Sequence, residues 1–341
     1  MLPFEVQNFL TGAADTTTSS FHADTIHHVE FDFYGQRVAT VSSDKTVCIW
    51  DKDTLNGTWR KSASWKKHGG AVWKVRFAHP EYGQVLATCS FDNTIQIYDK
   101  DAADMADIRP ITGADSTNGW VCRAVLRQST ASASITDIQL APHYLGLQLA
   151  ACTSSGRVII YEAEDIMALD NWNVLHDYEV AMNRLSSLSW STNRFDPPHL
   201  VVSSDDVNAL PSEKVFLFRV NSGSGSTLLT SGPISALYAD NDSDNADDGS
   251  ITTEDGRAQT ADETSAGTAE LTVSGREVLE EGNAAQVIRL SWNVIGDVIS
   301  AVHADGLIRV WRFVFSNRWI LLTTITPPAE QDRNAKDDVY Y

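Results

Sequence analysis

Short runs that mix apolar and polar residues recur along this chain, each bounded by Gly, Asp, Asn or Ser. Between His22 and Lys52 the first run is Ile26-His27-His28-Val29-Glu30-Phe31-Asp32-Phe33. Gly35 and Arg37-Val38-Ala39-Thr40 follow, then the turn Ser42-Ser43-Asp44-Lys45-Thr46, then Val47-Cys48-Ile49-Trp50-Asp51. Short runs rich in β-branched and aromatic residues, separated by turn formers, predict strands.

The same order returns from His68. It passes through Val72-Trp73-Lys74-Val75-Arg76-Phe77, Val85-Leu86-Ala87-Thr88-Cys89, the turn Ser90-Phe91-Asp92-Asn93-Thr94, and Ile95-Gln96-Ile97-Tyr98-Asp99. A third copy runs from Ile135 to Tyr161, a fourth from Leu185 to Phe218 and a last from Val287 to Trp311. The closing aromatics Trp50, Tyr98, Tyr161, Phe218 and Trp311 stand 48, 63, 57 and 93 residues apart, so the last interval has room for one more unit. Pro233-Ile234-Ser235-Ala236-Leu237-Tyr238 opens that interval, and Glu270-Leu271-Thr272-Val273 is the strand-like run that remains in it. Repeats of about 40–50 residues with four short strands are β-propeller blades. A lone four-stranded sheet cannot bury both of its faces, and radial stacking covers each face with a neighbour. The ten tryptophans suit that scheme, because large rings fill the space between blades.

Composition narrows the picture. Hydrophobic residues are 43% and charged residues 21% of the 341, as in ordinary globular proteins. A chain of this length buries about 75% of its unfolded surface and needs no staple. The four cysteines, Cys48, Cys89, Cys122 and Cys152, share no CxxC spacing, which argues against a zinc module and a disulfide scaffold. Net charge is −19, and residues 240–281 alone carry −11. Without clustered Lys and Arg, no direct nucleic-acid binding is expected. No apolar run reaches the roughly 18–20 residues of a membrane span, so no direct membrane insertion is expected. The start, Met1-Leu2-Pro3-Phe4-Glu5-Val6, lacks a basic segment and a long apolar one, so the expected compartment is cytoplasm or nucleus.

Candidate chemistry is sparse. There is no nucleophile elbow, Walker loop, HExxH or kinase set, so a non-enzymatic protein is expected, with no catalytic residue, cofactor or metal. Gly223-Ser224-Gly225-Ser226 lacks the Lys of a phosphate loop and reads as a linker. Adjacent strand residues face opposite sides, so His27 and His28 do not share an ion. Asp240-Asn241-Asp242-Ser243-Asp244 begins like a calcium loop, but Asn245 and Ile251 stand where Gly and Glu are needed. The acidic stretch reads as a solvated loop, with Thr252 and Thr260 as candidate phosphorylation sites.

The turn Asp followed by a strand-closing aromatic resembles WD repeats. That resemblance implies a His near the blade start bonded toward the turn Asp. His22, Ser42, Asp44 and Trp50 would form one such network, and His68, Ser90, Asp92 and Tyr98 another. The third copy has Ser155-Gly156 in place of the Asp. The last has Asp305 and Trp311 without an evident His, so packing is expected to hold those two.

The run from Trp65 to Asp92, with Trp65-Lys66-Lys67-His68-Gly69-Gly70-Ala71-Val72-Trp73 and Ala78-His79-Pro80-Glu81-Tyr82-Gly83, resembles the Seh-type nucleoporins. So do His27–Gly35, Ala141-Pro142-His143, Tyr161–Met167, Trp172 and the ending Leu290-Ser291-Trp292-Asn293 to Trp311. The likeness covers residues 22–220 and 284–325. It implies an all-β WD-repeat propeller, open and six-bladed with a degenerate fifth blade, completed by a partner's blade. Residues 1–21 would be a polar extension, 22–325 the propeller with the acidic segment 240–281 in its fifth blade, and 326–341 a tail.

The implied role is a scaffold of the outer-ring Y complex of the nuclear pore, supporting pore assembly and nucleocytoplasmic transport, and located at the nuclear envelope. The implied partner is a helical nucleoporin that inserts a β-blade between the first and last blades. Faces around Phe31 and around Trp292 would flank it. The same resemblance leaves open a subunit of the amino-acid-sensing, TOR-regulating complex at the lysosomal or vacuolar periphery, or a vesicle-coat scaffold. A peptide-binding WD adaptor with a self-closed ring is the reading from another class.

Overall fold

The computed structural model describes residues 22–53, 55, 57–100, 117–128, 133–180, 183–195, 198–208, 214–220, 285–314 and 318–326. These form five antiparallel sheets whose strands follow one another in chain order. The first holds β1 (Ile26–Phe31), β2 (Arg37–Ser42), β3 (Val47–Lys52) and β4 (Trp59–Trp65). The second holds β5 (Val72–Phe77), β6 (Val85–Ser90), β7 (Thr94–Lys100) and β8 (Trp120–Arg127). The third holds β9 (Ile135–Leu140), β10 (Gln148–Thr153), β11 (Arg157–Asp165) and β12 (Ala168–Glu179). The fourth holds β13 (Leu185–Trp190), β14 (His199–Ser204) and β15 (Val215–Arg219). The last holds β16 (Val287–Trp292), β17 (Val298–His303), β18 (Ile308–Val314) and β19 (Arg318–Ile325). The strand runs read from the sequence are the first three of each sheet. The fourth strands β8, β12 and β19 are half-exposed or exposed for much of their length and β4 over its first three residues, and all four carry a weaker pattern.

Each sheet sets its first strand against the first two strands of the sheet before it. Thus β5 packs on β1 and β2, β9 on β5 and β6, β13 on β9 and β10, and β16 on β13 and β14. This is the radial order of propeller blades, and no comparable packing joins the last sheet to the first among the described residues. The propeller is open. One register shift recurs at the same place in all five sheets, and it leaves His27, Trp73, Thr136, Ser186 and Ile288 as the extra residue of the first strand. A bulge re-aims the side chain that follows it. Here it gives the third residues, His28, Lys74, Asp137, Ser187 and Arg289, one common setting.

The expected fifth blade falls in residues 221–284, which lie outside the described residues, as do residues 1–21, the acidic segment 240–281 with Thr252 and Thr260, and tail residues 327–341. Among the described residues β16 packs directly on β13 and β14, so no described sheet lies between the fourth copy and the last.

The contact between these two sheets is close. Val287, Leu290, Ile299, Ala301 and Trp311 form one buried cluster with Val201 of β14. Ser186 donates to Val287 O at 2.8 Å, and Thr192 to Asn293 O at 3.0 Å. The β16–β17 turn needs Gly296 at φ +81°, and a Cβ there would stand 2.7 Å from Asn193 N and Ser191 Oγ. Gly35, at φ +64° in the matching turn of the first sheet, has nothing within 4 Å of a Cβ.

Both glycines occupy backbone that L-residues avoid at about 1–2 kcal/mol, but Gly296 alone also meets a neighbour. Gly35→Ala is therefore expected to cost about 1 kcal/mol and Gly296→Ala about 2–4 kcal/mol, the excess being overpacking at the seam. Denaturant unfolding of both variants checks this; equal losses would remove the close seam between the fourth and last sheets.

Candidate interaction surface

Two side-chain networks tie the chain entering a blade to that blade's inner turn. In the first sheet, Trp50 Nε1–H donates to Thr40 Oγ1 at 3.0 Å, and the Thr40 hydroxyl donates to His22 Nε2 at 2.8 Å. His22 Nδ1–H then meets Thr46 Oγ1 at 2.7 Å, and the Thr46 hydroxyl donates to Asp44. Every donor in this chain has an acceptor, as buried polar groups require. In the second sheet His68 Nδ1 lies 3.2 Å from Asp92 Oδ2, and Nε2 lies 2.8 Å from Thr88 Oγ1. Asp92 also accepts from Gly69 N–H at 2.7 Å and from the Thr94 hydroxyl.

Burial opposes ionisation of Asp44, but hydrogen bonds from the Thr46 hydroxyl and from the Ala23 and Thr46 N–H groups outweigh it and hold its carboxyl at about 2. Asp92 is held low in the same way, burial being outweighed by His68, Thr94 and Gly69.

Some roles differ from the sequence expectation. Ser42 and Ser90 do not bond the histidines; each accepts the backbone N–H of the following Asp, at 3.1 and 3.2 Å. Tyr98 is outside the His–Asp network, its hydroxyl donating to Gln96 Oε1 while its ring packs 4.8 Å from Trp65. A phenol on a closing strand does not reach the threonine that an indole N–H reaches. Asp305 accepts Leu307 N–H at 2.9 Å and pairs with Arg309 at 3.3 Å, and Trp311 is buried in the seam cluster. The hubs that sequence reading missed are Thr40, Thr46, Thr88 and Thr94. Their signal was the recurrence of Thr two residues after each turn Asp and two before each turn Ser.

The inner strands carry a second set of contacts, from blade to blade. At the third position, Lys74 Nζ lies 3.2 Å from Asp137 Oδ1, Ser187 donates to Asp137 Oδ2 at 3.0 Å, and Leu290 N–H donates to Ser187 at 3.3 Å. At the fifth position, Arg76 pairs with Glu30 at 3.0 Å, Trp190 N–H donates to Gln139 at 3.0 Å, and Trp292 N–H donates to Ser189 at 3.2 Å. Burial pulls the Lys74 ammonium below its usual range while Asp137 opposes that. Removing one partner of such a buried pair strands the other charge.

His28, first in the third-position series, is buried and its Nδ1 meets no hydrogen-bond partner. Burial, with the positive charges of Arg76, Lys74 and Arg289 added, depresses its imidazole to about 2. His27 turns away from it, meeting Ser43 at 2.6 Å and the Trp73 ring at 4.4 Å. Among the described residues no group of three or more His, Cys, Asp or Glu side chains is arranged to hold a metal ion.

The two ends of the stack differ. In β6 all six residues are buried, and in β10 and β14 all but the first. In β17 burial alternates, with Ile299, Ala301 and His303 facing the fourth sheet and Val298, Ser300 and Val302 on the uncovered side. Ile288 is 47% and Val302 36% exposed. At the other end, Val38, Cys48 and Trp50 are buried with Trp59 packed on them, and Phe31 stands 51% exposed, edge-on to Trp59.

The chain is similar to known proteins along most of its length. The family described as WD domain, G-beta repeat matches residues 8–51 and 59–99. Nucleoporin SEH1 of Homo sapiens and that of Bos taurus are each 37% identical over 315 residues, covering 87% of this chain and 84% of theirs. Nucleoporin SEH1 of Danio rerio is 34% identical over 313 residues, covering 87% and 83%. The chain belongs to the SEH1 nucleoporin family. In this SEH1-family propeller Trp292 is displaced from its expected flank. Its indole N–H donates to Ser189 O at 3.1 Å, so it faces the fourth sheet and not the open end.

Asp92→Ala is expected to cost about 1–3 kcal/mol by leaving His68 and Gly69 N–H without their acceptor, and Asp305→Ala less, since Asp305 is itself exposed. Thermal unfolding of the two variants ranks them; an unshifted Asp92→Ala would remove the network as a support of the blade.

The buried His28 also sets a pH dependence. Below about pH 6.5 the unfolded chain binds a proton at this site that the folded chain refuses until about pH 2. Stability therefore falls with acidification across that window, by about 1.4 kcal/mol per pH unit for one such group. The slope between about pH 6 and 5 is expected to be shallower in His28→Leu. Identical slopes would mean that His28 accepts the proton while folded.

Proposed function

We propose that this protein is a scaffold nucleoporin of the outer-ring Y complex of the nuclear pore, and that a helical nucleoporin completes its propeller by inserting a β-blade between β1–β4 and β16–β19. The observation that carries this reading is the uncovered side of the last sheet. Ser300 and Val302 lie there half-buried and exposed, where the matching positions of β6, β10 and β14 are all buried. An apolar sheet face of this kind is an interaction site by default. Strands added beside it bring backbone hydrogen bonds for affinity and side-chain pockets for specificity. A blade covered on both sides would form an interface in the obligate class, above about 2,000 Å² in total. Family membership supports the pore as its place. The function is architectural, because what the chain offers is a rigid stack with one receptive end.

The test is affinity purification from cell extract in high salt, which screens exposed ion pairs and leaves apolar contacts in place. A helical nucleoporin is expected in stoichiometric amount. Val302→Asp, on the uncovered face, is expected to lower its recovery more than tenfold with the melting temperature of the isolated protein unchanged. Recovery of amino-acid-sensing or vesicle-coat subunits alone would move the protein to those complexes. A partner-free monomer indifferent to Val302→Asp would overturn the inserted blade.

A further inference from the structure

The inner-strand ladder has a repeating rule and one place where it stops. At the third position the series is His28, Lys74, Asp137, Ser187 and Arg289. From the second blade to the third, the cation of Lys74 meets the carboxylate of Asp137. From the third to the fourth, Asp137 accepts from Ser187 and from Leu188 N–H at 3.3 Å. From the fourth to the last, Ser187 accepts from Leu290 N–H. The fifth position repeats this with Gln139 and Ser189, which accept the N–H groups of Trp190 and Trp292. Each blade thus offers its third and fifth side chains to the inner strand of the next.

Arg289 is the last of the third-position series. It is exposed, beside the exposed Ile288, and no carboxylate of the described residues pairs with it. A guanidinium has only donors, so it cannot receive a backbone N–H as Ser187 does. Asp137, the one acid of the series, is already engaged by Lys74 and Ser187. Positive charge therefore stands at the open end of the third-position series, in a chain whose net charge is −19. Ser291, last of the fifth-position series, is exposed as well.

The geometry points to a specific chemistry for the inserted blade: its innermost strand carries an Asp or Glu at the third position that pairs with Arg289, as Asp137 pairs with Lys74. In the same register the N–H of its sixth residue meets Ser291 Oγ, as Trp292 N–H meets Ser189. This inference rests on the inserted-blade reading and names what that blade must present. An Arg–carboxylate pair is planar and directional, so it selects register as well as charge. A strand shifted by one residue would turn its acid to the other face.

The test uses the full chain co-expressed with the helical nucleoporin recovered in the purification above. Arg289→Glu is expected to lower retention of that partner at least tenfold, and Arg289→Lys to hold it within about threefold. Exposure of Arg289 predicts that both variants melt as the wild type does. Replacing the acid at the third position of the partner's inner strand by Lys is expected to restore binding to Arg289→Glu and to weaken binding to the wild type. Retention of the partner by Arg289→Glu at the wild-type level, or no restoration by the exchange, overturns the inference and leaves the inserted blade standing. A wild-type chain that recovers no helical partner overturns the inserted blade itself.

Discussion

A β-sheet has two faces, and a blade of this protein gains its stability by covering them against its neighbours. That constraint orders the whole molecule. It makes the second strands β6, β10 and β14 apolar on both sides, draws each first strand onto the two strands of the preceding sheet, and seats the last sheet directly on the fourth. It also singles out β17, the one second strand with alternating burial, as the strand with an uncovered side, whereas β2 at the other end is buried beside Trp50 and Trp59.

Two kinds of polar contact act within that frame, at different levels. The His22–Asp44 and His68–Asp92 networks are local: they fix how the chain enters a blade and how its inner turn is held. The inner-strand ladder is relational. Lys74 with Asp137, Ser187 with Leu290 N–H and Ser189 with Trp292 N–H set the angle and height of one blade against the next. The bulge common to all five first strands makes this possible, since it aims the third residue of each blade at its neighbour. The other three sheets lack the His–Asp network and still stack, so the ladder and the apolar seams are sufficient to order them. The ladder ends at Arg289 and Ser291, both of which are exposed.

Function follows from the unequal ends of the stack. The first sheet closes much of its outer face with Trp50 and Trp59, while the last leaves Ile288 and Val302 exposed. A scaffold whose own blades are held by buried seams, and whose open end is aliphatic with one cation, is suited to permanent assembly and not to exchange. SEH1-family membership and the open end are independent observations, one of ancestry and one of packing, and they favour the same architectural role.

Strands, turns and the repeat were legible in the sequence because they rest on local physics. Alternation, β-branched runs, and the Asp of turns such as those at Asp44 and Asp92 depend on residues a few positions apart, and they placed β1–β3, β5–β7 and the first three strands of the other sheets. The motif from Trp65 to Asp92 was enough for the family. What the sequence could not decide is which faces meet. A strand buried on both sides shows no preference for either neighbour, so the direct seat of β16 on β13 and the turn of Trp292 toward Ser189 were invisible to it. Thr40, Thr46, Thr88 and Thr94 look like ordinary strand residues until a histidine from outside the blade reaches them. Arg289 is likewise one more polar residue in a strand run. Only the stacking of five sheets makes it the end of a series, because its meaning lies in the neighbour that the chain itself does not place beside it.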